Sequence, residues 1–252
     1  MTDGRGGDAG GTAGAAARPD GLLHSLRRAA VSDQEHGPLP GFLLTLTMLS
    51  GIVDATSVLR LGNVFVSNMT GNLVFIGLGL ARATGFSLRT TLIAFGCFII
   101  GVGACRQWLK VRTERLAQLR DILIAQAVLL GAAAAVAGST GGNPGGTTRD
   151  AVVGISAAAM GGQNAVARRM GVKELTTTVM TGTLVGLISN VGESGVAQTR
   201  QTIGILALVA GAAIGAVLVR AYDATAPLAV AAAIASTVAA AATLTCRRAL
   251  NT

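Results

Sequence analysis

The sequence predicts an all-α, polytopic membrane helical bundle made of two internal repeats in inverted orientation, with six full spans plus two broken or re-entrant motif helices. Three observations predict it. Hydrophobic residues make up 51% of the 252-residue chain and charged residues 13%, about half the charged share of a soluble domain. The hexapeptide Met69-Thr70-Gly71-Asn72-Leu73-Val74 returns as Met180-Thr181-Gly182-Thr183-Leu184-Val185, each copy inside an apolar stretch. Glycine-rich breakers and basic linkers cut the chain into apolar segments, each near the ~20 residues a membrane helix needs.

In chain order, residues 1–37 are rich in Gly, Ala, Asp and Arg and have no apolar run long enough for a signal-peptide core, so they read as a disordered tail. Eight apolar segments follow, over 39–59, 64–81, 90–109, 121–139, 151–167, 175–191, 202–219 and 226–245. Helix is forced on them because unpaired backbone amides are too costly in lipid. Pro38 and Pro40 mark the start of the first segment, Gly85 follows the second, and a basic linker from Lys110 to Arg120 follows the third. The run Gly141-Gly142-Asn143-Pro144-Gly145-Gly146 is the strongest breaker. It divides a first membrane repeat, 38–140, from a linker, 141–150, and a second repeat, 151–247.

The duplication extends beyond the hexapeptide. Asp54–Gly62 matches Gln163–Gly171, with Arg60/Arg169 and Gly62/Gly171 at an offset of 109, while the hexapeptides are 111 apart. Small residues form a ladder at Cys97, Gly101 and Cys105 and again at Ala207, Gly211 and Gly215, at an offset of 110. Such faces let helices approach closely in lipid. The two ladder helices are expected to play equivalent roles, either against each other or across a homo-oligomer contact.

Charge placement chooses between eight crossings and six, because Lys and Arg collect on the cytoplasmic side. Eight crossings with a cytoplasmic N-terminus leave ten basic residues on each side. If the second and sixth segments enter and return without crossing, fifteen fall inside and five outside, and the halves run in opposite directions. Polar residues around Gly71 and Gly182 leave only about half a membrane of clean apolar helix after each glycine, and broken backbone at that depth is tolerated where protein or a water-filled cavity satisfies it.

Asp54 is the one carboxylate well inside an apolar segment; a charge there costs about 2.5–3.5 kcal/mol to insert and marks a functional candidate. It serves either as a proton- or cation-coupling group, or as a helix-end carboxylate that pairs with Arg60 or caps the motif loop. Its counterparts Gln163 and Asn164 are neutral amides that line the same site or bond across helices. Asn68, Thr70, Gly71, Asn72, Thr181, Gly182 and Thr183 are expected to line a central binding region, with half-helix N-termini favouring an anionic or zwitterionic solute. The alternative is that the threonines bond back to their own helices.

Other chemistry finds no support. His24 and His36 both lie in the tail, Cys97, Cys105 and Cys246 show no ligand spacing, and no metalloprotease, Walker or nucleophile-elbow motif occurs. No enzyme, metal or cofactor is expected. The net charge of +8 is dispersed rather than gathered on a basic face, so nucleic acid is not an expected partner.

The stretches SGIVDATSVLRLGNVFVSNMTGNLVFIGLGLA and AAAMGGQNAVARRMGVKELTTTVMTGTLVGL resemble the YoaK-like family of uncharacterised bacterial multi-pass membrane proteins, a domain of unknown function. The resemblance spans roughly 40–250, with Gly162 an unusually flexible choice within the Met-Gly-x-Gln-Asn motif. It implies a helical protein of the bacterial inner membrane and supplies no activity. The residues lead us to expect a secondary transporter or permease for a small solute, proton-coupled through Asp54. The alternative is a non-transporting scaffold or sensor, and a passive channel would not need Asp54 to titrate.

Overall fold

The computed structural model describes residues 39–111, 114–170 and 195–250, which hold seven helices and no strand. They are α1 (Leu39–Arg60), α2 (Met69–Leu80), α3 (Leu88–Val111), α4 (Arg115–Gly138), α5 (Gly146–Met170), α6 (Gly195–Ala221) and α7 (Thr225–Leu250). Five of them, α1, α3, α4, α6 and α7, are long and apolar enough to cross a membrane. Exposed Leu92, Ile99 and Ile100 on α3, Val128 on α4 and Leu206, Val209 and Val217 on α6 supply the apolar outer surface that lipid requires. The sixth expected segment, 175–191, lies outside the described residues.

Helix α5 matches the five spans in length at 25 residues but is far less apolar. Its position accounts for this. It packs against α1, α3 and α4, and its buried face carries Asp150, Ser156, Gln163 and Asn164. A helix surrounded by other helices has no need of an all-round apolar surface.

Close backbone approaches set the pairing. Cβ atoms on Gly51 or Gly211 would strike the facing backbone of α6 and α1, at Leu208 and Met48 respectively. Gly101 and Gly161 play the same part between α3 and α5, against Ala158 and Phe98. The small-residue ladders of α3 and α6 therefore do not meet each other as one expectation had it. The α3 ladder packs on α5 and the α6 ladder on α1, because glycines on both members of each pair, Gly101 with Gly161 and Gly51 with Gly211, let the backbones touch.

The contacts also give the helix directions. Met48 faces Gly211 and Ile52 faces Gly215, so α1 and α6 run parallel; Cys97 faces Gly154 and Gly101 faces Ala158, so α3 and α5 do too. α1 and α5 are antiparallel, since Gln163 reaches Leu46 and Ser50 while Gly62 abuts Arg149. Gln126 meets Gln163 and Gln118 meets Arg169, which makes α4 antiparallel to α5.

The turns follow their sequence. Gly141 and Gly142 take φ of +64° and +76° and close α4 through bonds from Gly142 N–H to Ala137 O and Gly141 N–H to Gly138 O, a glycine C-cap. Any side chain at Gly142 would collide with Asp223, whose carboxylate accepts the amides of Thr225 and Ala226 and caps α7.

Residues 61–87 begin and end at one end of the bundle. Asn63 donates to the Gly85 carbonyl at 3.0 Å, tying the exit of α1 to the approach to α3. Between them, the second expected segment is helical only over Met69–Leu80. At 12 residues it is about 18 Å long, short of the ~30 Å hydrocarbon core.

Candidate functional site

After α1 ends at Arg60 the chain turns through Gly62 (φ +96°) and Asn63 (φ +56°) and runs back along α1 as irregular, non-helical chain. Non-helical backbone inside an apolar bundle leaves its polar groups without a ladder, so side chains must supply partners. Ser57 donates to Val64 O at 2.6 Å. Asn72 accepts the Phe65 amide at 2.9 Å and donates to the Phe65 carbonyl at 2.6 Å. Asp54 accepts the amides of Val66 and Ser67 at 2.9 and 2.8 Å and the Ser67 hydroxyl at 2.5 Å.

Asp54 thus caps the motif loop and does not pair with Arg60. Arg60 turns the other way, to Asn143 Oδ1 at 2.9 Å and Val219 O at 3.4 Å. Because Asp54 stands six residues before the end of α1, the turning point of the hairpin lies about 9 Å inside that end.

Gly71 clears space for the Phe65 ring, whose Cδ2 would lie 2.7 Å from an added Cβ. Phe65 stacks on Phe75 at 5.5 Å between centroids, and Phe75 meets Phe86 at 5.0 Å. Asn68 and Thr70 at the start of α2 are exposed, and Asn68 makes no capping bond. Of the hexapeptide, Gly71 and Asn72 hold the hairpin while Thr70, with the preceding Asn68, faces open space.

Gln163 belongs to a second cluster. Its amide nitrogen donates to Ser50 Oγ at 2.8 Å and Leu46 O at 3.2 Å, and its oxygen accepts from Gln126 Nε2 at 2.5 Å. It ties α5 to both α1 and α4. Asn164 bonds back to Met160 O at 3.0 Å on its own helix. Ser50 stands one helical turn from Asp54 on α1, so the two clusters adjoin. Thr181, Gly182 and Thr183 lie outside the described residues.

The sequence reading did not single out Ser50, Ser57, Phe65 or Gln126. Gln126 had a usable signal, an amide within an otherwise apolar span. Its Oε1 is buried without a hydrogen-bond partner, and the bonds made by Gln163 fix which end of that amide points away. Among the described residues no three His, Cys, Asp or Glu side chains gather closely enough to hold a metal. The clusters offer hydroxyls, amides and one carboxylate, chemistry suited to holding backbone and polar solutes.

Comparison with known proteins covers most of the membrane part of the chain. It is 32% identical over 158 residues to the UPF0700 transmembrane protein YoaK of Bacillus subtilis (strain 168), covering 59% of this chain and 65% of that relative. The chain thus spans just under two thirds of the length of the curated relative it matches. No solved structure matches. Together with the five apolar spans, the relationship makes this a multi-pass membrane protein. With residues 42–241 matched by the family described as "Protein of unknown function (DUF1275)", the chain belongs to that family.

Proposed function

We propose that the protein is a secondary transporter or permease for a small anionic or zwitterionic solute, built from two inverted halves whose motif segments enter the membrane and return. The hairpin of residues 61–80 carries the reading. Its backbone is held at depth by Asp54, Ser57 and Asn72, and it leaves a short helix start with Asn68 and Thr70 open. Interrupted helices of this kind surround the binding sites of repeat-built transporters.

Two further features support inverted halves. The close contacts Gly51–α6 and Gly211–α1 correspond, at an offset of 110, to Gly161–α3 and Gly101–α5. The first helices of the two halves, α1 and α5, run in opposite directions.

In this reading Asp54 couples proton and solute through the hairpin. Protonation at Oδ2 turns that oxygen from an acceptor of the Ser67 hydroxyl into a donor, and loss of the carboxylate charge weakens the amide bonds of Val66 and Ser67 to Oδ1, which loosens the hairpin. The test is flux through purified protein in liposomes loaded with a pH-sensitive dye and offered a panel of carboxylates, amino acids and phosphate esters. At least one solute is expected to move protons, and Asp54→Asn to abolish that movement while solute counterflow persists. Unaltered proton movement in Asp54→Asn removes Asp54 from the mechanism, and no flux with any solute class removes the transport reading.

A further inference from the structure

We propose that Arg149 and Arg60 form an oxyanion site, for a phosphate or carboxylate group, at the end of the bundle where α1 finishes and α5 begins. It goes beyond the transport reading and does not rest on it. Arg149 sits in the first turn of α5, where the helix end already carries partial positive charge and a cation is unfavourable. Its side chain is half-buried, and its Nε is closed to water without a hydrogen-bond partner.

No carboxylate among the described residues answers that charge. The adjacent Asp150 is taken by Arg89 at 3.0 Å and by the Thr90 hydroxyl at 2.8 Å. The guanidinium instead lies over Gly62, where an added Cβ would stand 3.4 Å from Nη1. Two residues earlier, Arg60 uses its guanidinium on neutral acceptors only, the Asn143 side chain and the Val219 carbonyl. Among the described residues, two arginines without an ion pair therefore stand at one junction, at the positive end of a helix.

A partly desolvated cation left without a counter-charge is costly. The planar guanidinium fork matches an oxyanion, and such bonds are among the strong ones. The oxyanion has two sources at this position: the phosphodiester of an anionic lipid headgroup at the membrane surface, or a soluble anion.

The experiment uses purified full-length protein in neutral detergent. One arm titrates inorganic phosphate at constant ionic strength and follows the melting temperature. The other measures retention of phosphatidylglycerol against phosphatidylcholine by native mass spectrometry. Arg149→Gln is expected to weaken binding in at least one arm by about tenfold, the loss of one charge-assisted hydrogen bond, with Arg149→Lys intermediate and Arg60→Gln weaker than wild type.

Loss in the phosphate arm alone assigns a soluble anion, and loss in the lipid arm alone assigns a headgroup. Circular dichroism and elution volume establish that Arg149→Gln is folded; if it is not, the comparison falls to Arg149→Lys and Arg60→Gln. Wild-type affinity in the variants, or no binding by wild type in either arm, overturns the site.

Discussion

Asn72 gives both ends of its amide to the backbone of Phe65, replacing with one side chain the pair of bonds a neighbouring strand would make. Removing it leaves an N–H and a C=O unpaired where water is scarce. Asn72→Ala is therefore expected to cost about 2–3 kcal/mol, read as a lowered unfolding midpoint in detergent. Gly71 is tied to the same residue, because a methyl there meets the Phe65 ring. Gly71→Ala should destabilise alone but cost much less in a Phe65→Ala background, a coupling that a double-mutant cycle measures directly; additive costs would refute the contact. The sequence marked Gly71, Asn72 and Asp54 as special through the repeat and the cost of a buried charge. It did not show that Asn72 and Asp54 serve backbone groups seven and twelve or more residues away. That role depends on the reversal at Gly62 and Asn63, and a positive φ at Asn63 leaves little trace in composition.

Among the elements, the apolar segments were readable because their lengths and breakers are set by lipid and by glycine and proline chemistry. Ladder partners were not. Small residues at every fourth position state that a helix is approached closely but not by which helix, and only the fold pairs α3 with α5 and α1 with α6. The helix expected to run from Gly71 starts two residues earlier, at Met69, and Val64–Ser67, as apolar as the helix that follows, are kept non-helical by bonds to Asp54, Ser57 and Asn72. Glycine substitutions test the packing. Ala at Gly51, Gly101, Gly161 or Gly211 would thrust a methyl into a facing backbone carbonyl and should cost about 1–3 kcal/mol each. Ala at Gly77, Gly96 or Gly103, where a Cβ meets nothing, should be neutral or stabilising by up to about 1 kcal/mol. Thermal unfolding of the seven variants separates the two groups, and similar shifts across both would contradict the pairing.

At the scale of the molecule, the helix directions set which helix ends lie together, and the charges bear on which end faces out. The ends of α1 and α4 and the start of α5 lie together, joined by the bond from Arg60 to Asn143 and the contact of Gly62 with Arg149. The C-terminal part of α5 and the first turn of α4 meet at the other end through Gln118 and Arg169. If the proposed hairpins return to the side they enter, fifteen basic residues belong to the end holding the tail and the 106–120 linker, and five to the end holding Asn63 and Gly85. The sparse end is then external. Single cysteines can decide this once Cys97, Cys105 and Cys246 are replaced. Gly85 and Gly146 are poor sites because both have positive φ, whereas Thr84 and Thr147 are exposed beside them. In intact cells a membrane-impermeant maleimide should label cysteine at Thr84 and at Thr147, and should reach cysteine at the exposed Glu114 only after permeabilisation. A second segment that crossed fully would put Thr84 on the side opposite the end of α1, against the bond from Asn63 to Gly85. Labelling of Glu114→Cys in intact cells with Thr84→Cys protected would reverse the orientation, and labels that separated Thr84 from Thr147 would break the six-span arrangement itself.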